Sequence, residues 1–156
     1  MKPNIGITQK DLTTSVKILS VVLADEVILY TKTRKFHWNV SGNSFMELHK
    51  LFEEQYGALE TIIDDTAERI GQLGAKAIGT MKEFLEMTTL SETPNVYPNQ
   101  KDMLVELCND NEKIIQNLRE NIPVCEENDD LATADFLTGV MKTLEKNAWI
   151  LRRYIS

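Results

Sequence analysis

Apolar residues recur at helical spacing along nearly the whole chain, and this periodicity admits an all-α fold and little else. Leu12, Val16, Leu19, Leu23, Val27 and Tyr30 mark one side of a helix predicted from 8 to 36 or just beyond. Ile18, Val21, Val22, Ile28 and Leu29 widen its apolar surface beyond one stripe. A helix apolar on more than one side needs more than one partner, and the expectation is an oligomer. Gly42 breaks the chain, and Ser44-x-x-Glu47 has the pattern of a capping box opening a second helix over 45–73, with Leu48, Phe52, Leu59, Ile63 and Ile70 along it. Residues 81–87 read as a short amphipathic helix within a long crossover that ends at Thr93-Pro94 and Tyr97-Pro98. A third long helix is predicted over 100–121, with Pro123 near its end, and a fourth over 129–154. Two helices, a long crossover and two more helices describe a four-helix bundle with one crossover connection.

The remaining bounds are consistent with that fold. A chain of 156 residues, 42% hydrophobic and 26% charged, suits a single domain over 1–156 with a sizeable core. Four prolines and seven glycines leave long segments free to be helical. No apolar run approaches the ~18 residues of a membrane span, and the N-terminus lacks a charged-then-apolar secretory pattern, so a cytoplasmic protein is expected. Cys108 and Cys125 form no CxxC pair and are expected to be reduced, inert helix residues. A net charge of −7 disfavours general nucleic-acid binding, which relies on cations displacing counterions from phosphate. Within the first eleven residues only Lys2 and Lys10 are basic, so no lysine-rich tail compensates.

Both histidines of the chain, His37 and His49, lie near Gly42, and two candidate ligand pairs stand at helical spacing: His49 with Glu53, and Asp64 with Glu68. Residues four apart project from one helix face, so each pair offers nitrogen or oxygen donors of the kind iron accepts. His49 and Asp64 are fifteen residues apart on one predicted helix, about 22 Å at 1.5 Å per residue, too far to share an ion within one chain. If two copies of that helix cross antiparallel about a two-fold axis near Tyr56-Gly57, His49 of one comes level with Asp64 of the other, and symmetry generates a second site. On a helical wheel His49, Glu53, Gly57, Glu60, Asp64 and Glu68 fall within about 100°. Gly57 is disfavoured inside a helix by about 1 kcal/mol relative to alanine, and at the crossing it would let two backbones approach.

These residues resemble the Dps family, the mini-ferritins named for a DNA-binding protein from starved cells. The pattern H-[FW]-x-aliphatic-x-G-x5-[LV]-H-x3-[DE] is filled by His37, Trp38, Val40, Gly42, Leu48, His49 and Glu53. A second stretch is filled by Ile63, Asp64, Ala67, Glu68, Arg69, Leu73, Gly74 and Ala77. Asp135-Phe136-Leu137 and Lys146-x-x-Trp149 resemble the family's last helix, so the likeness covers nearly the whole chain. Glu53 stands where many members carry aspartate, and Thr66 where an aliphatic residue is common.

The resemblance implies an all-α, ferritin-like four-helix bundle with a short extra helix in the crossover, assembled as a dodecameric hollow shell. It implies a ferroxidase: Fe2+ is oxidised by hydrogen peroxide, or more slowly by O2, and Fe3+ mineral is stored inside. The implied iron ligands are His37, His49 and Glu53 of one subunit with Asp64 and Glu68 of its mate, Glu68 bridging two metals. Trp38 is implied beside the site as a trap for oxidising equivalents, against the ordinary alternative of filling the bundle end. Arg69 is expected to neutralise or orient Glu68. Asp130 and Asp135 are expected pore residues for Fe2+ entry, although acids there equally complement the dipole at a helix start; Glu54 and Glu60 are expected to face the cavity. The competing reading is a nucleoid-binding protein in which iron oxidation is secondary. Neither histidine follows a glutamate by three positions, so the usual di-iron centre within one bundle is not expected. HExxH and GxSxG are also lacking.

Overall fold

In the computed structural model, residues 3–156 are described, and Met1 and Lys2 lie outside them. The elements are α1 (Gln9–Asn39), α2 (Phe45–Gln72), α3 (Met81–Met87), α4 (Gln100–Glu127) and α5 (Leu131–Ile155). α1 packs along α2 and α4 along α5; α1 also meets α4 and α3, so the two hairpins close around one core. The apolar stripes read from the sequence for the first two helices meet there, with Leu12, Leu19, Leu23, Phe52, Leu59 and Ile70 buried, and Leu107, Ile114, Leu118, Leu144 and Leu151 join them from the last two.

The wide apolar surface of α1 finds its partners within the subunit. Every residue from Val22 to Leu29 is buried, Asp25 and Glu26 included. Asp25 is satisfied by the crossover, accepting hydrogen bonds from the Thr88 hydroxyl at 2.7 Å and from the Thr89 amide and hydroxyl at 2.6 and 2.9 Å. One helical turn beyond Leu29, the Lys32 ammonium pairs with Asp110 at 2.6 Å and Glu106 at 2.9 Å and donates to the Ser91 carbonyl at 2.9 Å. The breadth of α1 from Val22 to Leu29 therefore reflects the crossover and α4 lying over it, while Ile18 and Val21 stay only partly buried within the subunit. Large apolar side chains remain exposed elsewhere, at Met46, Met81, Leu85, Leu131 and Trp149.

Some helix ends differ from expectation in instructive ways. α1 runs through Asn39, just beyond Phe36 as expected, which puts His37 on the helix itself. Ser44 precedes α2 but makes no side-chain cap; the capping box that does form joins Thr80 and Glu83 at the start of α3. α4 continues through Pro123 to Glu127. A proline inside a helix removes one hydrogen bond and is disfavoured by about 3 kcal/mol, but Leu118 and Cys125 are both fully buried on either side of it, and their packing keeps the helix together. α4 ends where Asp129 adopts φ 57°, and α5 begins at Leu131 rather than at 129. Among the described residues no helix is long and apolar enough to cross a membrane.

Candidate metal centre

His37 lies in the last turn of α1 and His49 in the second turn of α2, and the turn at Gly42, with φ +109°, reverses the chain between them. A side chain is strained at that φ, so the conformation calls for the motif glycine, and a Cβ there would also press on the Gln100 side-chain amide at 3.2 Å. The two imidazoles stack with centroids 3.8 Å apart and planes 17° from parallel. His37 Nδ1 lies 2.7 Å from the His49 carbonyl oxygen, and His49 Nδ1 lies 3.0 Å from the His37 carbonyl oxygen. A carbonyl only accepts, so each Nδ1 carries the hydrogen and donates it. In the neutral ring this fixes Nε2 as the atom with the lone pair, the orientation in which metal-binding histidines are commonly held by their second nitrogen. The chain thus prepares two imidazole donors side by side, His37 buried and His49 half-buried, with exposed Glu53 one turn further along α2.

Asp64 and Glu68 are exposed towards the other end of α2, where Asp64 borders a shallow surface depression with Glu60 and Asp65. Because α2 is continuous, one subunit does not bring these acids to the histidines. No group of three or more His, Cys, Asp or Glu side chains suited to a metal occurs among its described residues.

Two expectations need correction. Arg69 does not engage Glu68. Its guanidinium binds Asp130 Oδ1 at 2.9 Å, the Thr133 hydroxyl at 2.9 Å and Gln72 Oε1 at 3.1 Å. Asp130 is accordingly no pore residue: it is 1% exposed and serves as the N-cap of α5, accepting from the Thr133 amide. Burial pushes its carboxyl up, but hydrogen bonding from Thr133 and the charge of Arg69 help outweigh this and hold it below the ordinary aspartate range. Asp135 is exposed on α5. Trp38 is 65% exposed and does not fill the bundle end; its ring carries the Arg34 guanidinium at 5.2 Å.

The sequence reading missed the aromatic cluster around this site. Tyr56 meets His37 edge-on with centroids 5.3 Å apart, and Tyr30 meets Tyr56 at 6.0 Å. Arg34 lies over the rings of Tyr30, Trp38 and Tyr56 alike. The signal available was the i, i+4, i+8 series Tyr30, Arg34, Trp38 on one face of α1.

Comparison with known proteins agrees with this architecture. The family profile described as a ferritin-like domain matches residues 16–156, which places the chain in the ferritin-like class. The DNA protection during starvation protein 2 of Bacillus anthracis is 37% identical over 142 residues, 90% of this chain and 96% of that protein. The solved structure of DpsC from Streptomyces coelicolor superposes with a TM-score of 0.96 at 30% identity, covering 100% of this chain and 91% of that one. A Dps protein from Vibrio cholerae, described as a member of a broad superfamily of ferritin-like diiron-carboxylate proteins, superposes with a TM-score of 0.93 at 26% identity, covering 99% and 97%. The chain belongs to the Dps family of the ferritin-like superfamily.

Proposed function

We propose that this protein oxidises Fe2+ at sites shared between two subunits and stores the Fe3+ product within a hollow, dodecameric shell. His37, His49 and Glu53 of one subunit face Asp64 and Glu68 of another across an antiparallel crossing of two α2 helices, and Glu68 bridges two iron ions. The observation that carries this reading is the reciprocal hydrogen bonding of the histidine pair, which leaves both Nε2 atoms available to metal and fixes the rings before iron arrives. Imidazole nitrogens with several carboxylate oxygens stabilise Fe3+ more than Fe2+, so binding favours loss of an electron. Two Fe2+ ions each give one electron to hydrogen peroxide; the O–O bond breaks and both oxygens end as hydroxide or water. Pairing the electrons avoids hydroxyl radical, which is how such a protein would protect its cell, with O2 as a slower oxidant. The exposed acids of α2 and the net charge of −7 favour accumulation of a cation.

Substituting His49→Ala together with Asp64→Ala tests the reading. The shell is expected to assemble, by sedimentation, while rapid Fe2+ oxidation by peroxide is lost. A doubly substituted protein that oxidises iron at the original rate would refute the assignment.

A further inference from the structure

The oxidisable ring in contact with the histidine pair is Tyr56 rather than Trp38. Its ring lies 5.3 Å from that of His37 at an interplanar angle of 80°. Trp38 makes no aromatic pairing with either imidazole among the described residues; what it carries is the Arg34 guanidinium at 5.2 Å. Tyr30 lies one ring further out, 6.0 Å from Tyr56, and its phenol oxygen accepts a hydrogen bond from Arg34 at 2.7 Å.

We propose that Tyr56 is the protein's own one-electron donor to peroxide when only one Fe2+ occupies the histidine-side site. This rests on the iron-oxidising function proposed above. Reduction of hydrogen peroxide to two waters takes two electrons and two protons. A single bound Fe2+ supplies one electron and becomes Fe3+. The Tyr56 phenol supplies the second, losing its O–H proton to become a neutral tyrosyl radical. One further proton comes from water, so that Fe2+, phenol, peroxide and H+ yield Fe3+, tyrosyl and two waters. No hydroxyl radical escapes.

Contact with His37 singles out Tyr56, and Arg34 adds a bias against the other rings. A guanidinium stays charged at all ordinary pH and is attracted to the faces of neutral aromatic rings. An indole that loses an electron first becomes a cation, and a fixed positive charge 5.2 Å from Trp38 opposes that. Tyr56 also has Arg34 over it, at 5.1 Å, but its oxidation is completed by proton loss and leaves no charge on the ring. Tyr30 is harder to oxidise than Tyr56 because a cation donates a hydrogen bond to its oxygen, withdrawing electron density.

The test loads the assembled protein anaerobically with one Fe2+ per proposed site, adds hydrogen peroxide and records electron paramagnetic resonance after rapid freezing. A tyrosyl signal is expected in the unaltered protein, lost in Tyr56→Phe and retained in Tyr30→Phe. A signal undiminished in Tyr56→Phe, or a tryptophan-type signal abolished by Trp38→Phe, would overturn the proposal. Should Tyr56→Phe fail to assemble, a nitroso spin trap added to the unaltered protein and mapped by mass spectrometry must mark Tyr56; a label elsewhere counts against it. The unaltered protein is measured in parallel at two Fe2+ per peroxide. Rapid oxidation there without a tyrosyl radical in the iron-poor sample defeats this inference alone, whereas no rapid oxidation defeats the proposed function and this inference with it.

Discussion

Arg69 Nη2 meets Asp130 Oδ1 at 2.9 Å, tying the last turn of α2 to the first turn of α5. The aspartate side chain is fully buried and also caps α5 through the Thr133 amide. Asp130→Ala is expected to destabilise the fold by about 2–4 kcal/mol, combining a lost helix cap with a partly buried cation left unpaired. Thermal unfolding at fixed protomer concentration measures this, and a loss well under 1 kcal/mol would contradict it. The folded-state pKa of Asp130 is depressed, so its contribution is present above the unfolded aspartate value of about 3.9 and is lost as pH falls through the lower folded value. The difference between wild type and Asp130→Ala should therefore shrink only in strong acid.

Glu26 predicts a pH dependence of opposite sign. It is buried in α1 facing α2, its Oε1 accepts a hydrogen bond from the Thr66 hydroxyl at 3.2 Å, and its Oε2 has no protein partner. Burial pushes its carboxyl well above the usual range; the Thr66 hydrogen bond opposes this, and the charges of Asp25 and Asp65 add to it. The folded state therefore holds a proton that the unfolded chain releases at about pH 4.3. Stability from this group is complete below that pH and is lost as pH rises through the folded value. Glu26→Gln has nearly the same shape and cannot ionise, so its melting temperature should gain on wild type as pH is raised from about 4 towards 8. Parallel melting curves across that range would show that Glu26 titrates normally.

The departure at Thr66 makes physical sense beside Glu26. An aliphatic residue there would leave the buried carboxyl without its hydrogen bond. Sequence periodicity made the helices and their apolar faces legible because burial recurs with the helical period, as at Leu12, Leu19 and Leu23. It placed His37 and His49 on either side of a turn, yet their reciprocal Nδ1 bonds arise from how α1 and α2 dock, which spacing alone does not encode. Arg69 was misassigned for a related reason: Glu68 is its chain neighbour, but adjacent helix residues point about 100° apart, and the partner that Arg69 meets lies sixty-one positions away on the cap of α5. Pro123 misled because its penalty is local, whereas the packing of Leu118 and Cys125 that keeps α4 intact is tertiary.

Gly57 tests the crossing of two α2 helices. It is exposed in the single subunit, and a Cβ built on it meets nothing within 4 Å. Gly57→Leu should favour the helix itself by about 1 kcal/mol. Any loss of assembly would then come from contact with another subunit. We expect sedimentation to show weakened subunit pairing and rapid Fe2+ oxidation to fall with it, while circular dichroism stays helical. A substituted protein that assembles and oxidises iron normally would move the crossing away from Gly57.

The relative from Bacillus anthracis is named for DNA protection, and a protein can protect DNA either by coating it or by removing iron and peroxide. Charge separates the two. Seventeen basic residues against twenty-four acidic ones give this chain a net charge of −7. Four of the basic groups are also committed within the fold: Lys32 to Asp110 and Glu106, Arg69 to Asp130, Arg119 to Glu145 and Arg152 to Glu112. Nonspecific affinity for duplex DNA depends on the number of phosphates neutralised and weakens steeply with salt. Repeating an acidic subunit around the proposed shell would multiply the repulsion. The expected result is no retarded DNA in a gel-shift measurement at physiological salt, alongside protection of the same DNA from cleavage by Fe2+ and peroxide in solution. Protection should disappear in the protein carrying His49→Ala and Asp64→Ala, because it comes from consuming both reagents. Retardation that persists at physiological salt, with protection surviving those substitutions, would favour coating instead.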